Sequence, residues 1–272
     1  MGDIVLIKGL GAIKSLGQNF LIDKNYIERE LSHCKPQGKT VLEIGPGIGA
    51  LTAGLAKEAK GFTAIEIDER FIPILTEKLR GLKNASVVYG DALEFAGGPF
   101  DLVVSNVPYC VASKLVLKIP EFGNEAVICI QKELAHRMAA KPGSRDYSRF
   151  SVMCQLLFEV ELLEKVPAGA FYPKPEVESR VLRLRVKGKV DGGLSLFINA
   201  IFQHRNKKLR NAVVDSRELL GLGSKEKAVE VSGRLALCER RVITLTKEEV
   251  TQAYGEFREA IGQPAPVSYP RQ

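Results

Sequence analysis

The chain has 272 residues, 45% of them hydrophobic and 26% charged, an ordinary globular composition that excludes collagen-like, disordered and coiled-coil classes. No stretch approaches the roughly 20 apolar residues of a membrane helix, and Met1 to Leu10 is too short and too interrupted for a signal peptide, so a cytoplasmic protein without a membrane partner is expected. The net charge is +7, and from Lys187 onward 15 basic residues face 10 acidic ones, a bias that suits a polyanionic partner and has general solubility as its plain alternative.

From about residue 40, short apolar strands alternate with helices. Val41 to Gly45 reads as a strand, followed by a glycine-rich turn and a helix near Ala50 to Ala59. Phe62 to Ile67 is the next strand and Glu69 to Arg80 the next helix; Ser86 to Tyr89, Asp101 to Ser105 and Ala126 to Ile130 are further strands. Apolar runs of this length between helices predict a parallel sheet covered on both faces, a doubly wound α/β domain. Lys141 to Tyr147 reads as a polar, mobile loop, and Ser151 to Leu157 and Val181 to Val186 as late elements of the same domain. Gly188 to Gly193 is the linker candidate, placing one domain at residues 1–187 and a second at 188–272. In the second, Leu194, Phe197, Ile198, Ile201, Phe202, Leu209, Ala212 and Val213 fall on one helical face. Both ends, Met1 to about Gly11 and Pro264 to Gln272, are expected to be disordered. The five cysteines are scattered without a C-x-x-C pair, and the three histidines have no ligand spacing, so no metal site is expected.

Glu43-Ile44-Gly45-Pro46-Gly47-Ile48-Gly49 lies where the first strand gives way to a helix. Glycines there let a ligand approach the backbone and the free N–H groups of the helix start. Glu66 ends the next strand, 21 residues after Gly45, where a carboxylate can accept from both hydroxyls of a ribose. Asp91 follows the third strand, in reach of an adenine amino group. The E-x-G-x-G-x-G spacing favours S-adenosyl-L-methionine, but Gly45-x-Gly47-x-x-Ala50 also fits a dinucleotide fingerprint, so an NAD-dependent oxidoreductase stays open on this motif alone.

Ser105-Asn106-Val107-Pro108-Tyr109 follows the fourth strand, at the carboxyl edge where ligands bind such sheets. Asn106 to Tyr109 resembles the signature of amino-methyltransferases that act on exocyclic nitrogens. Adenine N6 is a poor nucleophile because its lone pair is delocalised into the ring. The Asn106 side-chain oxygen and the Val107 carbonyl can each accept one N6 hydrogen, drawing the nitrogen toward tetrahedral geometry for in-line attack on a methyl sulfonium. Pro108 belongs to the same candidate catalytic motif, and Tyr109 offers a stacking face for a base taken out of its helix.

With both motifs present, the chain resembles the ribosomal RNA adenine N6,N6-dimethyltransferase family over most of its length. Leu16-Gly17-Gln18-Asn19-Phe20-Leu21, Glu43 to Gly49, Ile65 to Asp68, Gly90-Asp91-Ala92, Asn106 to Tyr109, Gln131-Lys132-Glu133 and Phe171 to Ser179 carry the resemblance. It implies a Rossmann-like S-adenosyl-L-methionine-dependent methyltransferase sheet with a small C-terminal all-helical domain. Asn19 and Leu21 would line the cofactor pocket, Gly45 and Gly47 would pack beneath the cofactor, Glu66 would hold its ribose and Asp91 its adenine. Asn106 would serve both the cofactor and the target N6, and Phe171 would join Tyr109 in sandwiching the adenine. The target would be two adjacent adenosines in the 3′-terminal hairpin of small-subunit (16S) rRNA, met on an immature small subunit by a monomeric enzyme. The short chain and the Lys141 to Tyr147 loop look more like the archaeal branch. Cys110 stands where many members carry Asn or Gln, which leaves the wall beside the target base undefined.

Phe202 to Asn211 is the densest basic cluster and is similar to a stretch of the family's C-terminal domain. Read as a helix, it puts Arg205 and Lys208 on one face and Lys207 and Arg210 on a neighbouring one, ready for RNA phosphates; a solvated helix face is the plain alternative. Arg145 and Arg149 flank the predicted mobile loop and are further RNA-binding candidates. Three rivals remain: the sister group that methylates a large-subunit adenine and confers macrolide resistance, the NAD-dependent oxidoreductase, and a non-catalytic ribosome-assembly factor.

Overall fold

A computed structural model describes residues 2–263. The chain divides into two compact units, the first formed by Met1–Ala135 with Phe158–Lys187, the second by His136–Leu157 with Gly188–Gln272. The cut after Lys187 falls where the linker is expected. Residues 136–157, however, belong with the C-terminal part, against the expectation that Ser151 to Leu157 completes the sheet domain.

In chain order the first unit opens with α1 (Gly2–Leu10), β1 (Phe20–Leu21), α2 (Lys24–Cys34) and β2 (Thr40–Ile44). Helix α3 (Thr52–Glu58), β3 (Gly61–Glu66), α4 (Ile72–Lys78), β4 (Ala85–Tyr89) and β5 (Leu102–Asn106) follow. Then come α5 (Ala112–Phe122), β6 (Glu125–Gln131) and α6 (Lys132–Met138). Helix α7 (Arg149–Leu157) belongs to the second unit, and β7 (Phe158–Val166), β8 (Phe171–Tyr172) and β9 (Ser179–Val186) return to the first.

Seven strands form one sheet in the order β4-β3-β2-β5-β6-β9-β7. Strands β2 to β6 pair in parallel, whereas β9 runs antiparallel between β6 and β7. The parallel strands are apolar because helices cover both faces: Val41, Leu42, Val103, Val104 and Val127 are fully buried. Chain reversal between β3 and β5 about β2 puts the carboxyl ends of β2 and β5 at a switch point, where doubly wound sheets bind ligands. Strand β1 pairs separately with β8, Leu21 opposite Phe171 and Phe20 opposite Tyr172.

The start of the chain differs from expectation. Residues 2–10 are helical, and Ile7 of α1 is buried in a cluster with Phe20, Ile48, Phe71 and Leu75. The expectation for Pro264 to Gln272 lies outside the described residues. Strand β7 has no counterpart in the sequence reading.

The second unit comprises α7, α8 (Gly192–Phe202), α9 (Leu209–Asp215), α10 (Lys225–Gly233) and α11 (Lys247–Ala260). All eight apolar residues assigned to the helical face from Leu194 to Val213 are buried, but they lie on two helices. Residues 203–208 form a turn between α8 and α9, so the basic run does not present helical faces. The segment 141–147 is tied down as well. Tyr147 is fully buried, its hydroxyl donates to the Leu245 carbonyl at 2.8 Å, and Gly143 N–H donates to the Ile243 carbonyl at 2.7 Å. Among the described residues no helix is long and apolar enough to cross a membrane.

Candidate active site

The chain leaves β2 through a turn in which Gly45 and Gly47 have φ of 64° and 55°, the left-handed region that glycine enters without steric cost. At Gly47 space also demands it, since a Cβ would meet the Phe20 ring at 2.8 Å. Glu66, at the end of β3, fixes this turn from below. Its Oε2 accepts from Gly47 N–H at 2.8 Å and its Oε1 from Asp68 N–H at 2.9 Å. Each oxygen keeps a further lone pair for a ligand. Burial pushes the Glu66 carboxyl up, opposed by those two N–H donors. Glu43 lies behind the turn, 3% exposed, accepting from the Thr52 hydroxyl at 2.7 Å, and burial raises it to about 7.

Above the turn opens a cleft of about 820 Å³. Asn19, Leu21, Gly45, Gly47, Glu66, Asn106, Val107, Pro108, Tyr109 and Phe171 all line it. Asp91 lines an adjoining cavity of about 600 Å³ that shares Gly45, Ile67 and Pro108 with the first. Its Oδ1 accepts from Leu93 N–H at 2.8 Å. Ile67, an exposed apolar side chain, is common to both cavities.

The far wall is the end of β5. Tyr109 is held by a 2.7 Å hydrogen bond between its hydroxyl and that of Ser179, the first residue of β9. Phe171 is 5% exposed and packs in the sheet's apolar cluster with Leu21, Val166 and Ala170 while also lining the cleft. The Asn106 side-chain amide lies 3.2 Å from both oxygens of Glu30, and hydrogen-bonds them when its nitrogen is the end that faces the carboxylate. An ionised carboxylate offers only acceptors, so in that state Nδ2 faces Glu30 and Oδ1 turns away from it. Glu30 itself is 1% exposed, in the middle of α2.

The N-terminal segment closes the near side. Gln18 donates to Asp68 Oδ2 at 2.7 Å and accepts from Ile13 N–H at 2.8 Å. Arg70 clamps Asp68 through Nε at 2.8 Å and Nη2 at 2.6 Å, and its Nη1 donates to the Leu10 carbonyl at 2.6 Å. The guanidinium holds the Asp68 carboxyl below its ordinary range. The Asn19 amide donates to the Gly17 carbonyl at 3.2 Å.

Glu30 and the Gln18–Asp68–Arg70 latch were not anticipated from sequence. For Glu30 a signal existed: it falls between Ile27 and Cys34 on the inward face of an amphipathic helix, where a carboxylate needs a partner. For the latch there was none, because Arg70 reaches a carbonyl 60 residues away.

The RNA-binding candidates all lie in the second unit. Arg205 turns inward, donating to the carbonyls of Arg145 at 3.1 Å and Tyr147 at 2.7 Å. Lys207 pairs with Asp215, and Lys208 and Arg210 both pair with Glu239. Arg149 donates to Asn199 Oδ1 at 2.7 Å. Lys207, Lys208, Arg210, Arg145 and Arg149 are exposed.

Comparison with known proteins bears on this arrangement. A probable ribosomal RNA small subunit methyltransferase A of Thermococcus sibiricus is 42% identical over 242 residues, 86% of this chain and 88% of its own. A dimethyladenosine transferase of Plasmodium falciparum is similar in structure, with a TM-score of 0.75 and 26% identity over 89% of this chain and 98% of its own. The 23S rRNA methyltransferase ErmE is similar at a TM-score of 0.60 and 29% identity, over 88% and 99%. The sheet, with its antiparallel β9, is therefore the Rossmann-like methyltransferase fold, which leaves the oxidoreductase reading without support. The model of the ribosomal RNA adenine dimethylase family matches residues 11–237, and the chain belongs to that family.

Proposed function

We propose that the protein transfers methyl groups from S-adenosyl-L-methionine to N6 of two adjacent adenosines in the 3′-terminal hairpin of small-subunit rRNA, acting as a monomer in the cytoplasm on an immature subunit. The observation that carries this reading is the Asn106 amide on the wall of the same cleft as the Gly45–Gly47 turn, 3.2 Å from both Glu30 oxygens, so that an ionised Glu30 takes its nitrogen and leaves its oxygen for the target.

The cleft suits the cofactor by its donor set and shape. Gly45 and Gly47 line the cavity, and a Cβ at Gly47 would press on the Phe20 ring that lines it too. Glu66 is anchored by two backbone donors with lone pairs to spare for ribose hydroxyls, and Asp91 lies in the adjoining cavity for an adenine amino group. When bound, S-adenosyl-L-methionine supplies an electrophilic methyl on a sulfonium. This chain's residues orient the acceptor. Asn106 Oδ1 and the Val107 carbonyl each take one N6 hydrogen, which localises the nitrogen lone pair. Tyr109, steadied by Ser179, offers its ring to the extruded base. Asn19 and Leu21 shield the cofactor side, and Phe171 contributes an apolar edge. No general base is required, because alkylation makes the N6 proton acidic enough for water to remove.

For RNA, the second unit holds 18 basic and 11 acidic residues while the first holds 21 of each, so the whole +7 charge falls on the helical unit. Lys207, Lys208, Arg210, Arg145 and Arg149 are the proposed phosphate contacts. Arg205 is withdrawn from that set because its guanidinium is spent on two carbonyls. The small-subunit target is favoured over the large-subunit one by the similar relative named for the small subunit.

The test is incubation with labelled S-adenosyl-L-methionine and immature small subunits, followed by mapping of modified nucleotides by mass spectrometry. Dimethyladenosine at adjacent positions of the 3′-terminal hairpin is expected, with at least about 100-fold loss in Asn106→Ala. Label on large-subunit RNA alone would move the target to the sister group.

A further inference from the structure

Glu30 is a buried ionisable group that touches the site and takes no part in the chemistry above. It sits in mid-helix, 1% exposed, with both carboxylate oxygens 3.2 Å from the Asn106 amide. Nothing in α2 requires a carboxylate there. The neighbouring inward positions are Ile27, Leu31 and Cys34, and Cys34 Sγ donates to Glu30's own backbone carbonyl.

We infer that Glu30 is a positioning residue whose ionisation state sets which end of the Asn106 amide faces the target nitrogen. This rests on the proposed N6 chemistry and deepens it. The two ends of an Asn amide are nearly identical in shape, so only hydrogen-bond partners decide its orientation. An ionised carboxylate is purely an acceptor. It holds Nδ2 and leaves Oδ1 to accept an N6 hydrogen. A protonated carboxyl can instead donate its O–H to Oδ1 across the same 3.2 Å. The amide then turns Nδ2 into the cleft, donor against donor, and N6 is not held. Proton loss from Glu30 therefore converts an unproductive amide into a productive one.

The surroundings place that proton in an accessible range. Burial is the main cause holding it, and Glu43 on β2 and Glu164 on β7 add like charge; the Asn106 hydrogen bond opposes them, and the carboxyl stands at about 8. The thiols of Cys34 on α2 and Cys129 on β6 also feel its charge. The cations bearing on this pocket, Arg183 and Lys39, act on Cys34.

Two measurements test the inference. The first follows the side-chain amide resonances of Asn106 in the free, 15N-labelled protein from about pH 6 to 9.5, assigned by Asn106→Ala. They are expected to move along a single titration curve that vanishes in Glu30→Gln and persists in Glu30→Asp. The second is the single-turnover methylation rate at saturating S-adenosyl-L-methionine and small-subunit RNA. In wild type it is expected to rise with pH over the same window. Glu30→Gln accepts either amide orientation, so its rate is expected to be flat with pH, about two- to tenfold below wild type at pH 9 and no lower at pH 6.5. A purely structural Glu30 would lower the rate equally at every pH. Asn106 resonances that do not titrate, or that titrate unchanged in Glu30→Gln, overturn the inference. An amide that titrates as expected in a protein that methylates no RNA overturns the proposed function and leaves the coupling of Glu30 to Asn106 standing.

Discussion

Two buried carboxylates, Glu66 on the cleft and Glu30 against Asn106, show how much of this site depends on where single donors point. Glu66 is held by two backbone N–H groups, and an amide cannot replace it without turning a donor toward a donor. Glu66→Gln is therefore expected to weaken S-adenosyl-L-methionine binding by about tenfold or more, one to two kcal/mol, read by titration calorimetry; unchanged affinity would remove Glu66 from the ribose role. Glu30 and Glu43 have a different consequence. Both are raised in the folded chain, to about 8 and about 7, from an ordinary 4.5. Between pH 4.5 and 8 the unfolded chain releases these protons before the folded one does, so their contribution to stability is full below 4.5 and is lost as pH rises to 8. Thermal unfolding is expected to show the melting temperature falling across that window. Glu30→Gln should flatten the fall and gain about 1–3 kcal/mol at pH 8. A melting temperature that rises from pH 5 to 8 in wild type, with the same slope in the variant, would contradict the burial of an ionisable Glu30.

The elements around the cleft divide into those whose residues announce them and those defined by distant partners. Strands β2, β3, β5 and β6 are legible because burial on both faces makes their residues continuously apolar, and the glycine turn and the Asn106 to Tyr109 loop are legible because chemistry restricts their residue types. Strand β7 escapes because it is a sheet edge. Glu159 and Glu161 lie opposite Arg185 and Arg183, and a register irregularity between Leu162 and Glu164 breaks its alternation. Helix α1 escapes because its burial depends on Phe71 and Leu75, more than 60 residues away in sequence. The latch is of the same kind, with Arg70 holding both Asp68 and the Leu10 carbonyl. Its removal belongs to the element and not to the sheet. In Arg70→Ala, amide exchange over residues 10–20 is expected to quicken while β2 and β5 keep their protection. Cofactor affinity should fall by about three- to thirtyfold because the near wall is no longer ordered. Exchange that quickens across the sheet as well would mean that Arg70 supports the whole unit.

At the scale of the molecule, chemistry and charge are separated: the cleft lies in a unit with no net charge, and all +7 charges lie in the helical one. Sequence alone blurred this, because residues 136–157 carry four basic residues and one acidic and precede the linker. They join the helical unit through tertiary contacts such as Tyr147 to Leu245. The ion pairs of Lys207, Lys208 and Arg210 do not disqualify them as RNA contacts, since exposed pairs are worth about 0–1 kcal/mol and yield readily to phosphate. Removing one phosphate-binding cation should reduce the slope of log affinity against log salt by about 0.7–0.9. Lys207→Ala with Arg210→Ala is thus expected to lower that slope by about 1.5 while leaving cofactor affinity and melting temperature near wild type. Arg205→Ala should behave in the opposite way. Its two carbonyl acceptors lose their donor, so the melting temperature should drop, by the equivalent of about 1–3 kcal/mol, with the salt slope of the folded fraction unchanged. If the double variant leaves the slope intact, the basic turn is not an RNA surface and the charge of this unit serves solubility alone; if Arg205→Ala lowers the slope at full stability, Arg205 returns to the phosphate contacts.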